Sequence, residues 1–247
     1  MQSNEKVFVI TGANGGMGKA TVQRFLCEGI RVVAVDVAFD ESSITNEQCK
    51  YFQADLTDEQ QVQELFAKIE DQYETIDGLV NVAGIAQQAA PIEEVTLAQW
   101  EKLMAVNTTS LFLTCRAALP LLKKNVGGAI TNVASISAVR PRPGLQAYIA
   151  SKGAAVAFSQ ALAIECADSG IRVNVIHPGP SDTAMLGQFA AGNADADHVR
   201  EDTFRKSVPL GELVRPDDIA NTAFFLSSQE ARMMTGAVVH VDGGRGL

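Results

Sequence analysis

Short apolar runs alternate along the chain with longer segments in which apolar residues recur at helical spacing. Most of these runs are apolar at consecutive positions, which is typical of strands covered on both faces. Strands of this kind that alternate with helices predict a parallel sheet with helices on both sides, and so a doubly wound α/β fold. We expect seven strands, at Lys6–Thr11, Arg31–Asp36, Cys49–Asp55, Ile76–Gly84, Gly127–Ser135, Ile171–Gly179 and Gly236–Gly244.

The segments between the strands predict the helices and their ends. Met17–Glu28 has helical spacing with Gly29 as a natural stop, and Thr57 is placed to cap the next helix. Pro216 opens the last helix. Because the chain contains no internal repeat, low-complexity tract or linker, residues 1–247 are predicted to form one domain. Further helices are expected near Leu97–Val106, Leu111–Leu122 and Ala147–Ala167.

Composition and charge narrow the class of protein. Of 247 residues, 47% are hydrophobic and 20% are charged, as in an ordinary soluble globular domain. No apolar run approaches the roughly 18–20 residues that span a bilayer, and the polar start leaves no room for a signal peptide. The net charge of −9 and the isoelectric point near 4.9 argue against a nucleic-acid surface. We therefore expect a cytoplasmic protein with neither nucleic acid nor membrane as a partner.

The cysteines and histidines form no pattern that is typical of a metal site. The four cysteines are scattered without a C-x-x-C pair, which favours reduced thiols over a disulfide framework. His198 and His240 have no partner at metal spacing. His177 is expected to be structural, or to lie beside a cofactor, rather than to act as an acid or base. No metal is expected.

The stretch TGANGGMG, Thr11–Gly18, follows the first strand and opens the first helix. Its glycines run G-x-x-x-G-x-G, which is close to the dinucleotide motif G-x-G-x-x-G but one residue longer in the first arm. In such a loop one glycine allows a tight turn, another lets the backbone approach a pyrophosphate, and the last lets helix and strand pack closely. The helix N-terminus faces the negative charge. The alternative is a glycine-rich turn without a ligand, and the position of this loop favours dinucleotide binding.

Asp36 ends the second strand, 18 residues after Gly18, about where a carboxylate that binds a ribose belongs. Such a carboxylate can accept hydrogen bonds from both ribose hydroxyls of NAD and would repel the 2′-phosphate of NADP. No Lys or Arg lies between Gly12 and Gly18 or in the two residues after Asp36. The sequence thus predicts NAD in preference to NADP, with a surface acid at a strand end as the alternative.

Tyr148 and Lys152 lie four residues apart in YIASK, on one face at the start of a predicted helix. A free phenol has a pKa of roughly 10, and a neighbouring ammonium would lower it toward the working pH of a base. An isolated pair of this kind would be weak evidence, because exposed helices carry such pairs by chance. Ser135 and Asn107, however, are also predicted at the carboxyl edge of the sheet, where open α/β sheets bind ligands. This convergence favours a catalytic site.

In this order and spacing, the motifs resemble those of the short-chain dehydrogenases/reductases in their compact form. The resemblance runs from Lys6 to about Gly244, and G-x-x-x-G-x-G is that family's own form of the loop. It implies a Rossmann fold with strand order 3-2-1-4-5-6-7. It also implies an NAD-dependent oxidoreductase that interconverts a secondary alcohol and a ketone by hydride transfer. The motifs are TGANGGMG, NVAG (Asn81–Gly84), VN (Val106–Asn107), Ser135, YIASK, HPG and DT (Asp182–Thr183).

The resemblance implies a role for each of four catalytic residues. Tyr148 would be the acid/base, taking the alcohol proton in oxidation and donating one in reduction. Lys152 would lower the pKa of Tyr148 and hold the nicotinamide ribose. Ser135 would hydrogen-bond the substrate oxygen, and Asn107 would bind a water that links Lys152 to solvent.

The same resemblance implies a cofactor site along the loops that follow the strands. Asp55 would meet the adenine and Thr183 the carboxamide. Val82 and Ala134 depart from the family, which more often has asparagine and serine at these positions. The residues expected to hold the cofactor are Gly12, Asn14, Gly16, Met17, Gly18, Asp36, Asp55, Leu56, Asn81, Ala83, Gly84, Tyr148, Lys152, Pro178, Gly179 and Thr183.

Substrate contacts are expected from the segment before Tyr148 and from a lid at about residues 184–206. Arg140 and Arg142 precede Tyr148, and their guanidinium groups suit an acidic substrate. The alternative is that these arginines contact solvent or another subunit. The residues expected to bind substrate are Ser135, Arg140, Arg142, Gln146, Tyr148, Met185, Leu186 and Phe189.

Two other functions stay open. One is an NADPH-dependent 3-oxoacyl-thioester reductase, against which Asp36 argues. The other is a non-catalytic NAD-binding sensor or scaffold, against which the intact set of Ser135, Tyr148 and Lys152 argues. The helices around Leu111–Leu122 and Ala154–Ile164 are apolar on more than one face, which predicts packing against further subunits, as in the family's homotetramers.

Overall fold

A parallel sheet runs through the centre of the molecule. The computed structural model describes residues 6–39, 46–125, 127–190 and 204–247. The strands are β1 (Val7–Thr11), β2 (Arg31–Asp36), β3 (Cys49–Gln53), β4 (Gly78–Asn81), β5 (Ala129–Val133), β6 (Arg172–Pro178) and β7 (Val238–Val241). All neighbours pair in parallel, in the order β3-β2-β1-β4-β5-β6-β7. The predicted doubly wound fold and its strand order are confirmed.

Helices cover both faces of this sheet. They are α1 (Gly16–Cys27), α2 (Glu59–Tyr73), α3 (Leu97–Met104), α4 (Ser110–Leu122), α5 (Gln146–Cys166) and α6 (Pro216–Ser227). Alternate strand residues face opposite sides, so Val7 and Val9 join one core cluster while Phe8 and Ile10 join the other. The helices α2, α4 and α5 contribute to the first cluster, and α1 and α6 contribute to the second.

Several of the predicted strands end earlier than expected, β3 and β4 among them. β3 stops at Gln53 and β4 stops at Asn81, so that Ala54–Asp55 and Val82–Gly84 leave the sheet as loops at its carboxyl edge. β3 and β7, the edge strands, are also more exposed than the strands between them, because each pairs with one neighbour only. The loops that leave the sheet border the candidate site.

The start of α2 differs from the sequence prediction. Asp58, and not Thr57, is the N-cap, since its carboxylate accepts hydrogen bonds from the backbone N–H groups of Gln60 (2.9 Å) and Gln61 (3.2 Å). The Thr57 hydroxyl instead donates to Asp55, over 2.7 Å. Both residue types cap helices, but the negative charge of Asp58 also suits the helix N-terminus.

The helix α3 passes into α4 through a π-helical turn, Ala105–Thr109. The sequence separates two helices here but does not predict this turn. Single π turns inside helices are frequent at functional sites. This turn carries Asn107 toward the carboxyl edge of the sheet.

One helical segment, Gln146–Ser169, is long and apolar enough to cross a membrane by length and composition alone, contrary to the sequence expectation. Core helices of soluble proteins meet the same criterion. Ala155, Leu162 and Ala163 of this segment pack into the first core cluster. The segment is therefore weak evidence for a membrane span.

Candidate active site

A groove of about 750 Å³ runs along the carboxyl edge of the sheet. The glycine loop, Asp36 and the loops after β3 and β4 form its walls. A groove at this edge, where the strand order reverses between β1 and β4, is the position at which open α/β sheets bind ligands. Its volume falls within the range of small-molecule sites.

Three glycines of the loop have different structural roles. Gly12 has φ +64°, and a Cβ there would lie 2.6 Å from the backbone nitrogen of Ala83. A Cβ on Gly18 would overlap the carbonyl oxygen of Gly12, so only glycine lets α1 pack this closely on the loop. Gly15 is the N-cap of α1 and has no side chain to cap it, which leaves the first N–H groups of the helix for a ligand.

Asp36 joins β2 to the glycine loop. Its carboxylate accepts hydrogen bonds from the backbone N–H groups of Asn14 (2.9 Å) and Val37 (2.8 Å). Within the described part of the chain, the buried Oδ1 of Asn14 has no hydrogen-bond partner, although buried polar atoms usually have one. A polar ligand in the groove would provide that partner, so the residues present fit a dinucleotide.

Most residues expected to bind a cofactor lie on the walls of this groove. Pro178 and Gly179 border the adjoining cavity instead. Val82, which the sequence marks only as a departure from the family, is also on the groove wall. The predicted residues that the groove brings together are Gly12, Asn14, Gly16, Met17, Gly18, Asp36, Asp55, Leu56, Ala83, Gly84 and Thr183.

Asn81 has a different environment from the one expected. Its side chain is 4% exposed and belongs to a buried network rather than to the groove wall. Its Nδ2 donates to Asn132 (2.9 Å), and its Oδ1 accepts from Thr114 (3.0 Å) and Thr11 (3.3 Å). Asn132 in turn donates to Ser159 of α5, over 2.8 Å. The network links β1, β4 and β5 to α4 and α5 beneath the groove, and only Asn81 was singled out from the sequence.

Ser135 and Tyr148 meet at the wall of a second cavity, which adjoins the groove. Tyr148 is 5% exposed, in the first turn of α5. Burial raises the pKa of Tyr148 above its ordinary value, while a hydrogen bond with Ser135 and the charge of Arg142 oppose this rise. The phenol is thus placed to exchange a proton with a group in the cavity, and neutral Tyr148 is the favoured form.

Lys152 lies one turn along α5, as predicted. Its Nζ donates to the carbonyl oxygen of Val133 (3.1 Å) and lies 6.0 Å from the centre of the Tyr148 ring. Burial lowers the pKa of Lys152 from 10.5 to about 8. The pKa of Tyr148 is raised overall, because burial of the phenol outweighs the hydrogen bond with Ser135 and the charge of Arg142. That Lys152 lowers the pKa of Tyr148 stays a prediction.

Asn107 lies next to Lys152, as the sequence predicts. Its side chain accepts from the backbone N–H of Ile85 (2.8 Å) and donates to the hydroxyl of Ser151 (3.0 Å). A Cβ on Gly84 would lie 3.1 Å from both Asn107 Oδ1 and Lys152 Nζ. These two polar atoms therefore border one small space that only a glycine leaves open.

Gln87 is a site residue that the sequence analysis missed. Its Oε1 accepts a hydrogen bond from the backbone N–H of Tyr148 (2.9 Å), and it is 6% exposed. Gln146, expected to bind substrate, instead pairs with Gln87 (3.4 Å) and donates to the carbonyl of Ala90 (3.3 Å). Gln146 thus lies outside the cavity wall. No sequence motif marks Gln87, because its partner is a backbone group 61 residues away.

The cavity beside Tyr148 has an apolar wall. Met185, Leu186 and Phe189 line it, as predicted, together with Phe204. The Phe189 ring meets the Tyr148 ring edge-on, with ring centres 5.0 Å apart. The part of the predicted lid at 191–203 lies outside the described residues. Arg140 and Arg142 line the same cavity, and so does Arg245, which the sequence analysis did not name.

His177 lies on β6 and is fully buried. Its ring stacks on that of His240, with centres 5.2 Å apart, and neither ring nitrogen has a hydrogen-bond partner among the described residues. Burial lowers the pKa of His177 to about 4, so the ring is neutral near pH 7. In the described ranges, no three His, Cys, Asp or Glu side chains come together as metal ligands.

Comparisons with known proteins agree with this geometry. Residues 12–245 match the family model described as enoyl-(acyl carrier protein) reductase. The chain is 35% identical to 2,5-dichloro-2,5-cyclohexadiene-1,4-diol dehydrogenase of Sphingobium indicum, over 97% of this chain and 95% of that protein. It is also 35% identical to 2,3-dihydro-2,3-dihydroxybenzoate dehydrogenase of Escherichia coli, over 96% of each.

A solved structure is similar over almost the whole chain. It is 3-ketoacyl-(acyl-carrier-protein) reductase from Brucella melitensis complexed with NADH, which is 35% identical. The alignment covers 99% of this chain and 100% of that one, with a TM-score of 0.89. The similarity therefore extends over the whole fold.

Proposed function

The chain belongs to the short-chain dehydrogenase/reductase family and is an oxidoreductase acting on CH–OH groups. From this premise we propose that it uses NAD, with Tyr148 as the catalytic acid/base. The reaction interconverts a secondary alcohol and a ketone. The observation that carries the proposal is the meeting of Ser135 and Tyr148 at one cavity wall, beside a groove fit for a dinucleotide.

The groove residues would hold the cofactor by complementary charge and shape. The N-terminus of α1 would face the pyrophosphate, and the Asp36 carboxylate would accept hydrogen bonds from the adenosine ribose. Asp36 would also repel a 2′-phosphate, and the loop Gly12–Gly18 has no cation to offset that repulsion. These features support NAD over NADP. When bound, the nicotinamide accepts or supplies the hydride.

The protein's own part in catalysis is to move one proton. In ketone reduction, the neutral Tyr148 hydroxyl donates its proton to the substrate oxygen. In alcohol oxidation, Tyr148 first gives up its own proton, and the phenolate then takes the hydroxyl proton while the Ser135 hydroxyl holds the same substrate oxygen in place. The buried ammonium of Lys152 would favour the phenolate that forms when the proton moves on. Asn107 and Lys152 border the space beside Gly84, through which a water could carry a proton toward solvent.

Replacing the phenol tests this assignment directly. Tyr148→Phe is expected to lower kcat/KM for any accepted secondary alcohol by about 10²- to 10⁴-fold, the usual contribution of a positioned acid/base. NADH binding, followed by fluorescence, should change little because the variant keeps the ring. Tyr73→Phe, at a tyrosine remote from both cavities, is the matched control. Full turnover by Tyr148→Phe would refute the mechanism.

A second candidate is reduction of a 3-oxoacyl thioester with NADPH. The printed name of the Brucella melitensis structure, a 3-ketoacyl-(acyl-carrier-protein) reductase, supports the thioester, although that structure contains NADH. The ratio of kcat/KM for NADH and NADPH separates the two cofactors, and an acyl thioester beside simple ketones separates the substrates. A third candidate, a sensor without turnover, would show NADH binding but no oxidation of any alcohol.

Several broader features complete the proposal. Residues 1–247 would act as one catalytic domain in the cytoplasm, with a lid at about 184–206 over the substrate. The outer faces of α4 and α5 would join copies into a homotetramer. The names of the two relatives denote one substrate with a carboxylate and one without, so they leave the charge of the substrate open.

A further inference from the structure

Three arginines border the cavity that contains Ser135 and Tyr148. Arg140 and Arg142 come from the loop before α5, and Arg245 comes from the turn after β7. The sequence brings the first two together through their spacing. Arg245 lies about a hundred residues away, and only the fold places it at the same wall.

The guanidinium of Arg140 is partly bound within the chain itself. Its side chain is exposed and donates hydrogen bonds to the backbone oxygens of Arg245 and Leu247. Arg140 therefore holds the segment that carries Arg245. The sequence expectation that Arg140 contacts the substrate stays a prediction.

Arg142 is held in a fixed position at the cavity wall. Its Nη2 donates to the carbonyl oxygen of Phe189 (3.2 Å), and its guanidinium carbon lies 4.7 Å from the centre of the Phe204 ring. A guanidinium has five N–H donors, so this single bond leaves others for a ligand. Burial lowers the pKa of Arg142, and the positive charge of Arg245 lowers it further.

The pKa of Arg245 is lowered for similar reasons. Burial and the charge of Arg140 lower its pKa, and Asp242 opposes them. The Asp242 oxygens, however, accept hydrogen bonds from the backbone N–H groups of Gly244 (3.0 Å) and Gly246 (2.6 Å), and so shape the turn. Two partly buried cations that repel each other are stabilised by an anion that binds to both.

We propose that the substrate is a secondary alcohol or ketone with a carboxylate, which binds to Arg142 and Arg245 while its carbinol carbon lies against Ser135 and Tyr148. This inference rests on the proposed dehydrogenase function. A planar carboxylate suits a guanidinium because two N–H groups can donate to it in parallel.

The geometry also limits the length of the substrate. The ring of Phe189 lies close to both the Tyr148 end and the Arg142 end of the site. Its centre is 5.0 Å from the centre of the Tyr148 ring and 5.9 Å from the guanidinium carbon of Arg142. The carboxylate is therefore separated from the carbinol carbon by a few bonds, as in a short hydroxy acid or a ring that carries both groups.

Paired substrates test the proposal. A series of short-chain and cyclohexane hydroxy acids, each beside its methyl ester, is assayed with NAD. The acids should exceed their esters in kcat/KM by about 10- to 100-fold, as expected for hydrogen bonds to a charged group. Arg142→Gln and Arg245→Gln should each bring this ratio toward one, mainly through a higher KM for the acid. Arg116→Gln, an exposed arginine of α4, is the matched control and should keep the ratio.

The results of these assays distinguish a failure of the carboxylate proposal from a failure of the dehydrogenase assignment. Oxidation of esters and neutral alcohols as efficiently as the acids would overturn the carboxylate proposal and leave the dehydrogenase assignment intact. If no alcohol is oxidised, the dehydrogenase assignment fails, and binding still decides the carboxylate question. Cyclohexanecarboxylate should then raise the Tm of the protein with NAD present more than its carboxamide does, and Arg142→Gln should abolish that difference. Equal effects of the two compounds on the native protein would refute the site.

Discussion

Lys152 has the most buried charged side chain among the described residues. It is 5% exposed, and burial lowers its pKa from 10.5 to about 8. An unfolded chain keeps the ordinary value, so it binds more protons between these two pH values, and stability rises with pH across that window. At roughly 1.4 kcal/mol per pK unit, the free energy of unfolding of the native protein relative to Lys152→Met should rise by roughly 3 kcal/mol from pH 7 to about pH 10.5.

Chemical denaturation of the cofactor-free protein at both pH values measures this difference. Lys68→Met, at an exposed lysine of α2, is the control and should show no such rise relative to the native protein. A Lys152→Met difference that stays constant with pH would mean that Lys152 keeps an ordinary pKa in the fold.

Single residues also show what the sequence could predict about the site. Ser135, Tyr148 and Lys152 come together as predicted, because Ser135 follows a strand and the other two lie near the start of a helix whose position the periodicity predicts. Asn107 joins them through the π-helical turn, which the sequence does not predict. The state of Tyr148 could not be predicted, since its pKa depends on burial by distant residues. Gln87 was missed for a similar reason, as its hydrogen bond to the Tyr148 backbone depends on the course of a loop.

At the scale of elements, the N-cap of α2 can be tested by comparing variants of Asp58 and Thr57. Asp58 accepts two backbone hydrogen bonds, and hydrogen bonds from Gln61 lower its pKa. Asp58→Ala should therefore lower the urea midpoint at about pH 7 more than Thr57→Ala does. A carboxylate with a lowered pKa contributes fully above its ordinary value of 3.8 and loses this contribution as the pH falls through its folded value.

The urea midpoints of Asp58→Ala and Thr57→Ala should consequently approach each other at low pH. Urea midpoints at about pH 7 and over a series of pH values descending below 3.8 give the comparison, because the contribution of Asp58 is lost as the pH falls through its lowered pKa. If Thr57→Ala is the more damaging change at all of these pH values, the cap assignment from the sequence was right and the geometry described for Asp58 is wrong.

The elements themselves were predicted well where local pattern decides them, and poorly where contacts do. Strand and helix positions follow from apolar runs and caps, whereas the strand order was implied by the family resemblance. The early ends of β3 and β4 do not, because Ala54 and Val82 continue the apolar runs although the chain leaves the sheet there. The π turn around Asn107 is likewise invisible in the sequence, because its residues suit an ordinary helix equally well.

At the scale of the whole molecule, the outer face of α5 predicts self-association. Ile164 is 81% exposed, and Phe112 of α4, 40% exposed, packs edge-on against Phe158 of α5 with ring centres 6.0 Å apart. Exposed apolar side chains on two neighbouring helices favour an interface, and closed symmetry is the usual outcome in homo-oligomers. The native protein should therefore sediment well above its chain mass of 26.3 kDa.

Ile164→Glu should shift the protein to a smaller species without lowering Tm beyond the loss due to dissociation, since the Ile164 side chain packs little within its own subunit. Ile92→Glu, at a 59% exposed apolar residue outside α4 and α5, should sediment like the native protein. A native protein that sediments as a monomer would exclude the assembly, and an Ile164→Glu variant of native size would place the contact on another face.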